Sequence, residues 1–265
     1  MAEWSNIGWT DHTFNPWIGC TKIGPGCDHC YAEAWARRYY PSAVWGEARR
    51  RTSASAWRNP IHLNNRAARA GVRHFVFCAS LADVFDHQVP LDWRFDLFRL
   101  IEATPHLVWL LLTKRPQNVT KMLAHAGPLP RNVALGCTVV NQEEADRDVP
   151  ILLSVPGRTL FRFLSIEPML GPVDLRALDQ SSERYIDWVI IGGESGAGHR
   201  PMDPDWVRWL RDQCIAAKRP FFFKQWGGAR SSSGGRILDG AYWSDRPHVP
   251  PVAPPRVLAA QESFL

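Results

Sequence analysis

The sequence lacks any long apolar run. Its longest, LVWLLL at residues 107–112, is far shorter than the roughly 20 residues that a membrane-spanning helix needs. The opening residues, MAEWSNIGWTDH, also lack the basic start and apolar stretch of a secretory signal peptide. We therefore expect a cytoplasmic protein with no membrane partner.

Cysteine is scarce as well, with 6 in 265 residues. In a reducing compartment we expect no disulfide framework, and metal binding or chemistry explains the cysteines better. Acidic residues are only slightly outnumbered, with 26 Asp and Glu against 31 Lys and Arg and a net charge of +5. That surplus suits an anionic partner, and it suits an ordinary soluble enzyme equally well.

Short apolar segments recur along the chain, and polar or Gly-rich residues follow each of them. Their lack of clear alternation is typical of strands that are buried on both faces of a parallel sheet. The segments lie at 74–80, 107–115, 132–141, 159–168, 187–196 and 220–228, and a short strand within 14–18 would make seven. Helix-like stretches lie at 28–39, 92–102, 116–125, 142–153 and 204–217. This order predicts an α/β fold, a partial or full parallel (β/α) barrel of about six to seven strands.

One barrel domain is expected over residues 1–248. It would contain a loop at 20–30 that carries three cysteines, an Arg-rich insert at 37–73 and a small cap at 229–248. The remaining segment, 249–265, is rich in proline, and we expect a flexible tail there.

Polar residues that follow parallel strands meet at one rim of a barrel, where sites are built. The acid/base candidates on this rim are Asp83, Glu167 and Cys137. The candidates for binding a cofactor are Ser80, Asn141, Gly192, Gly193, Glu194, Ser195 and Lys224. Structural readings stay open for all of them, because strand-end carboxylates also serve as hydrogen-bond hubs, Gly-Gly-Glu-Ser is also an ordinary turn, and Cys137 lies in an apolar strand.

Three of the cysteines are spaced C-x6-C-x2-C in a loop that contains glycine and proline. Cys20, Cys27 and Cys30 could present three thiolates to an iron–sulfur cluster and leave one iron open. Structural zinc, with His12 or His29 as fourth ligand, is the main alternative, although a second ligand pair is absent. A redox-active C-x2-C disulfide and unliganded thiols are further alternatives.

The insert at 37–73 holds nine arginines and one acid, Glu47, interleaved with tyrosine and tryptophan. Arginine binds phosphate and aromatic rings stack on bases, so this mixture suits DNA or RNA. The candidates for phosphate contact are Arg49, Arg50, Arg51 and Arg58. A solvated face is an equally good reading, because no nucleic-acid-binding motif accompanies these arginines.

Eight segments between residues 9 and 247 carry a family resemblance. They are WTDHTFNPWIGCTKIGPGCDHCYAE, SLADVFDHQVP, LLTKRP, LGCTVVNQ, FLSIEPMLGPVDL, WVIIGGESG, RPMDPDWVRWLRDQC and PFFFKQWGG. Together they resemble a phage- and prophage-associated family of unknown function, known for a three-cysteine motif and for a neighbouring three-Cys-motif partner protein. That family is similar to the radical S-adenosylmethionine (SAM) superfamily, although the usual superfamily spacing is C-x3-C-x2-C.

The resemblance implies a radical SAM-like barrel in which Cys20, Cys27 and Cys30 ligate a 4Fe-4S cluster, with Tyr31 as the aromatic residue after them. It further implies that SAM binds the open iron and that an electron donor drives its cleavage to a 5′-deoxyadenosyl radical. A similarity to radical SAM lyases that repair DNA photoproducts favours repair or modification of nucleic acid or a nucleotide. The alternatives are a non-catalytic nucleic-acid-binding or interaction protein with structural zinc or iron–sulfur, and a SAM-dependent methyltransferase with a structural cluster.

Overall fold

Seven parallel strands form the central sheet, as seen in a computed structural model that describes residues 4–40, 45–175, 184–230 and 233–253. The strands, in chain order, are β1 (His12–Thr13), β2 (Trp17–Ile18), β3 (Arg50–Arg51), β4 (His74–Cys78), β5 (Leu107–Thr113), β6 (Val133–Thr138), β7 (Arg162–Ile166), β8 (Trp188–Gly192), β9 (Phe221–Gln225), β10 (Ile237–Leu238) and β11 (Ala241–Tyr242). The helices are α1 (Tyr31–Tyr39), α2 (Ala54–Ala70), α3 (Leu91–Glu102), α4 (Pro116–Ala126), α5 (Gln142–Ser154) and α6 (Pro204–Ala216). A 3-10 turn covers Pro25–Cys27.

The sheet has the order β1-β4-β5-β6-β7-β8-β9, and each strand pairs in parallel with the next. It curls into a half-barrel in which helices alternate with strands. The predicted α/β fold with a partial parallel barrel is therefore confirmed. The predicted tail lies outside the described residues from residue 254 onward.

The strand that the sequence predicts within 14–18 is not part of the central sheet. β2 lies in that range but pairs antiparallel with β3, whereas the earlier β1 joins the central sheet beside β4. The Asn15 side chain accepts a hydrogen bond from the backbone N–H of Leu81 (2.8 Å), and Pro16 has no N–H to donate to a ladder. The chain therefore leaves the sheet at these two residues.

Helix α2 lies inside the Arg-rich insert, where the sequence analysis predicts no helix. Ser53 caps it by accepting a hydrogen bond from the backbone N–H of Ala56 (3.3 Å), and Gly71 ends it in the left-handed conformation with φ of 67°. Pro60 lies within the helix and obscures its pattern in the sequence. The insert is thus partly a regular helix that packs on the sheet.

The sheet is buried on both faces, as the apolar strand segments predict. In β5, Leu107, Trp109 and Leu111 pack in the core cluster that includes the helices, whereas Val108 and Leu110 face an aromatic cluster on the other side. That second cluster also contains Trp9, Phe75, Phe77, Phe161, Phe163, Trp188 and Phe222. It fills the concave side of the half-barrel and leaves polar residues to face each other at the carboxyl ends of the strands.

The cap covers one edge of the sheet. The backbone carbonyl of Trp243 accepts a hydrogen bond from the backbone N–H of Phe223 (2.9 Å), and the backbone N–H of Asp245 donates to the carbonyl of Phe221 (3.2 Å). These bonds satisfy backbone N–H and C=O groups of β9 that would otherwise be unpaired at the edge of the sheet. Within the described ranges, no helix is both long and apolar enough to cross a membrane.

Candidate functional site

A cavity of about 550 Å³ lies at the carboxyl ends of the strands, a volume within the range of about 300–1,000 Å³ that is typical of small-molecule sites. Each strand from β4 to β9 contributes at least one lining residue at or just beyond its carboxyl end. Trp9, Phe77 and Leu112 are among its apolar lining residues, and charged side chains such as Asp83, Glu167 and Lys224 also line it. Residues that follow different strands therefore meet at one cavity.

All three clustered cysteines line this cavity. Cys27 is buried in the 3-10 turn, whereas Cys20 and Cys30 are half-buried, with Cys30 immediately before α1. Among the residues that the structure describes, no three His, Cys, Asp or Glu side chains are grouped closely enough to hold one metal ion. The three thiols as they stand are therefore not gathered around a single ion.

Cys20 lies against a buried arginine. The Arg115 guanidinium lies 3.5 Å from the Cys20 sulfur, and it also donates to the Thr21 carbonyl (2.6 Å) and to Asp83 (2.9 Å). Burial and the Asp83 carboxylate raise the pKa of Cys20 to about 11, against the opposing effect of Arg115. The thiol is therefore protonated at neutral pH unless a metal replaces its proton.

Asp83, an acid/base candidate, lines the cavity and is saturated with hydrogen bonds. Its carboxylate accepts from the hydroxyl of Thr113 (2.8 Å) and from Arg115 (2.9 Å). It also accepts from the backbone N–H groups of Phe85 (2.9 Å) and Lys114 (3.1 Å). The residue thus fixes the loops after β4 and β5, which is the structural role that the sequence left open.

Glu167, the second carboxylate candidate, lies beside a lysine in the cavity. The Lys224 ammonium lies 2.7 Å from its Oε1, and the Ser165 hydroxyl donates to its Oε2 (3.0 Å). A Cβ at Gly192 would lie 2.7 Å from the same Oε1, so the glycine makes room for this carboxylate. Lys114 also lines the cavity, and within the described ranges it has no acidic side chain at ion-pair distance. The lining therefore includes Lys114 in addition to the paired cations Lys22, Arg115 and Lys224.

Glu194 holds the cysteine loop in place. It accepts from the imidazole of His29 (2.9 Å) and from the backbone N–H and Nε of Arg200 (2.9 Å each). Arg200 extends to the loop itself, where it donates to the Pro25 carbonyl (2.8 Å) and to Asp28 (3.1 Å). Burial opposes ionisation of Glu194, but these donors prevail and hold its pKa at about 2. The carboxylate thus holds the cysteine loop through His29 and Arg200, and it also lines the cavity.

The other rim candidates that line the cavity connect neighbouring loops. A Cβ at Gly193 would lie 2.0 Å from the Trp226 carbonyl oxygen, so only glycine lets these two turns approach. Ser195 accepts a hydrogen bond from Gln225 (2.8 Å). The Ser80 carbonyl accepts from the Tyr31 hydroxyl (2.9 Å), which ties α1 to the rim.

Three of the acid/base and cofactor-binding candidates do not line the cavity: Cys137, Asn141 and Gly192. Cys137 is fully buried in the core cluster on the helix side, where burial raises the pKa of its thiol, and the next residue, Thr138, lines the cavity instead. Asn141 caps α5 by accepting a hydrogen bond from the backbone N–H of Glu144 (3.0 Å). The structure therefore does not bring Cys137 or Asn141 to the cavity.

The four arginines proposed for phosphate contact differ in exposure. The Arg49 side chain is 2% exposed and forms an ion pair with Asp86, so the structure does not present it to an external phosphate. Arg51 pairs with Asp96 (2.7 Å). Arg50 and Arg58 are exposed, and Arg50 lies over the ring of Tyr40 (5.2 Å). Of these four arginines, Arg50 and Arg58 are thus the two that remain exposed candidates for phosphate contact.

Several residues that line or organise the cavity were not predicted from the sequence. Trp35 and Trp45 line the cavity, and Arg200 organises the loop beside it. The recurrence of Tyr31, Trp35 and Tyr39 at every fourth position was a signal in the sequence, because such residues share one helix face. Arg200 gave no signal, since its contact with Pro25 spans 175 residues.

Fold and site together define an α/β half-barrel protein with a cavity at the strand carboxyl ends that is bordered by three cysteines. The chain belongs to a protein family of unknown function, DUF5131, whose sequence model matches residues 4–247. This match carries no link to phages or to radical SAM enzymes. No curated protein and no solved structure matches the chain.

Proposed function

We propose that this protein is a radical SAM-type iron–sulfur enzyme that acts on nucleic acid or a nucleotide. The observation that carries the proposal is the position of the cysteines. Cys20, Cys27 and Cys30 line one cavity at the carboxyl ends of a parallel half-barrel, and Tyr31 lines it beside them. Sites in such folds lie at this end of the strands.

The donor set suits a cluster. Three thiolates can bind a 4Fe-4S cluster and leave one iron without a protein ligand, and all three thiols line the cavity. Cys20, Cys27 and Cys30 would hold the cluster, which would supply the electron for reductive cleavage of SAM to methionine and a 5′-deoxyadenosyl radical.

The protein's own residues would hold and tune the cluster ligands. Arg200 and Glu194 fix the loop that carries Cys27 and Cys30, through the contacts with Pro25 and His29. Arg115 donates an N–H toward the Cys20 sulfur, and hydrogen bonds to ligand sulfurs are a main influence on cluster potential.

The charges in the cavity favour an anionic substrate group. Lys114 and Lys224 both line the cavity, Lys224 with Glu167 as its partner, and either ammonium could bind a phosphate or carboxylate. Trp9, Phe77 and Leu112 offer apolar surface to the rest of a substrate. Exposed Arg50 and Arg58, together with the net charge of +5, support a phosphate-rich substrate.

The experiment is anaerobic reconstitution with iron and sulfide, followed by metal analysis and incubation with SAM and dithionite as the one-electron reductant. We expect roughly four irons and four sulfides per chain, a broad absorbance band near about 400 nm, and 5′-deoxyadenosine as product. Replacing Cys20, Cys27 or Cys30 by Ala should abolish all three signals. The matched control is Cys214→Ala, which removes a buried thiol on the apolar face of α6 and should keep them.

Two outcomes would contradict the proposal. One tightly bound zinc per chain, with no iron after reconstitution, would favour the non-catalytic binding protein. S-adenosylhomocysteine in place of 5′-deoxyadenosine would favour a methyltransferase with a structural cluster.

A further inference from the structure

We propose that the outer face of α1 is a stacking surface that leads unpaired nucleotides into the cavity. The surface, here called the aromatic strip, consists of Tyr31, Trp35, Tyr39 and Tyr40. The inference rests on the proposed action on nucleic acid and deepens it, because it names a single-stranded or locally unpaired substrate.

The rings of the aromatic strip are largely exposed to solvent. Tyr31 is 54% exposed, Trp35 37% and Tyr39 55%, and the three recur at every fourth residue along one face. The ring centroid of Trp35 lies 5.0 Å from that of Tyr39 and 5.5 Å from that of Tyr40. A contiguous exposed patch of this kind is typical of a binding surface.

The strip is continuous with the cavity. Tyr31 and Trp35 line the cavity, and the hydrogen bond from the Tyr31 hydroxyl to the Ser80 carbonyl (2.9 Å) fixes that ring at the rim. Tyr39 lies two turns farther along α1, about 12 Å from Tyr31 at the usual helical rise. A strand that stacks on Tyr39 and Trp35 would therefore be directed toward the cysteines.

Arginines accompany the rings. Arg38 lies 5.4 Å from the centroid of the Tyr39 ring, and Arg50 lies 5.2 Å from that of Tyr40. In the described part of the chain neither arginine has an acidic partner at ion-pair distance, whereas Arg37 pairs with Glu33 (2.7 Å). Alternating rings and free guanidinium groups match a chain of alternating bases and phosphates.

The geometry favours unpaired nucleotides over a duplex. In a double helix the faces of the bases are covered by their neighbours, and only the edges can be reached from the grooves. Exposed rings can stack only on bases whose faces are free. The aromatic strip therefore discriminates by strandedness and requires no particular base sequence.

The test is fluorescence anisotropy of a labelled single-stranded oligonucleotide and of its duplex, with the full chain as the binding protein. We expect tighter binding of the single strand. Tyr39→Leu and Trp35→Leu should each weaken it roughly 5- to 100-fold, as expected for loss of one base–ring stack. Arg50→Gln should reduce the slope of log affinity against log salt by about 0.7, whereas the aromatic variants should leave that slope unchanged.

Tyr242→Leu is the matched control. Tyr242 is 67% exposed with Arg236 beside its ring (5.7 Å), but it lies on β11 and does not line the cavity. It should bind the oligonucleotide like the parent. The inference is overturned if the parent binds no single strand, if the duplex binds equally well, or if the aromatic variants match the control. A partner protein whose binding is lost in Tyr39→Leu, with oligonucleotide binding unaffected, would assign the strip to protein contact and also overturn it.

Failure of this inference can be distinguished from failure of the proposed function. If the parent protein cleaves SAM but shows no preference for single strands, the stacking proposal fails and the enzyme proposal stands. If the parent protein binds single strands through Tyr39 and Trp35 but forms neither a cluster nor 5′-deoxyadenosine, the enzyme proposal fails and the stacking proposal stands.

Discussion

Arg200 donates hydrogen bonds to the Glu194 carboxylate from both its guanidinium group and its backbone N–H. The same guanidinium reaches the loop at Pro25 and Asp28. The turn after β8 and the loop after β2, which lie far apart in sequence, are thereby fastened together beside the cavity. This contact suggests the first experiments.

Glu194→Gln should loosen the cysteine loop. The substitution keeps the size of the side chain but removes the charge that strengthens its hydrogen bonds to Arg200 and His29, so we expect the free energy of unfolding to fall by about 1–3 kcal/mol. Iron in the reconstituted protein should pass to a chelator faster. Urea denaturation and chelator-coupled absorbance measure the two effects. Asp239→Asn is the control: it weakens an exposed pair with Arg208 and should leave iron retention unchanged.

The stabilisation by Glu194 should depend on pH in a defined window. Its pKa is about 2, against an ordinary value of 4.5, because hydrogen bonds from Arg200 and His29 outweigh the effect of burial. A carboxyl with a lowered pKa contributes fully above its unfolded value and loses the contribution as pH falls. The difference in unfolding free energy between the parent and Glu194→Gln should therefore shrink between pH 4.5 and about 2. A difference that stays constant across this range would contradict the assignment.

Arg49→Gln should act on stability. Its guanidinium is buried against Asp86, and removing one partner of such a pair costs about 3–5 kcal/mol. Thermal denaturation should show a clear loss. The neighbouring Arg50→Gln serves as control, since Arg50 is exposed and its loss should leave the melting temperature close to that of the parent. Equal melting temperatures for the two variants would contradict the buried pair.

Gly193→Ala should disturb the turn between β8 and the cavity. The added methyl group would lie 2.0 Å from the backbone oxygen of Trp226, and overpacking of this kind costs about 1–3 kcal/mol or more. Gly171→Ala is the control, because its nearest contact would be an ordinary 3.4 Å to Asn141. Chemical denaturation of both variants checks the difference, which would vanish if the two turns could separate freely.

Stability should also fall as pH drops below 6.5. Burial, with a further contribution from Arg66 against the opposing effect of Asp11, lowers the pKa of His74 from 6.5. Its ring nitrogen lies 3.0 Å from that of His12. The unfolded chain therefore binds more protons than the folded one just below pH 6.5, and unfolding is favoured there. His74→Gln should flatten this part of the profile in thermal melts, whereas exposed His125→Gln should leave it unchanged.

The sheet was predictable because its strands are buried on both faces and so appear as apolar segments. Side-chain direction was not, because it reverses at every residue of a strand. Cys137 therefore faces the core where Thr138 faces the cavity, and Arg49 is buried where Arg50 is exposed. A shift of one position decides whether a side chain is buried or accessible, and the composition of a segment does not reveal which of the two it is.

Long-range contacts were beyond the sequence for a different reason. Glu194 was predicted as a cofactor ligand from its Gly-rich turn, but its partners depend on how β8 and the cysteine loop meet in space. Helix α2 was missed because Pro60 and the arginines mask its apolar face.

The hydrogen bonds that join residues 25–29 to residues 194–200 also have a consequence for the order of events during biosynthesis. The cysteine loop is synthesised well before Glu194 and Arg200, which follow it in the sequence. Until those two residues have been made, the loop lacks the hydrogen bonds that hold it. Under the proposed function, insertion of the cluster into a fixed site would therefore follow completion of β8.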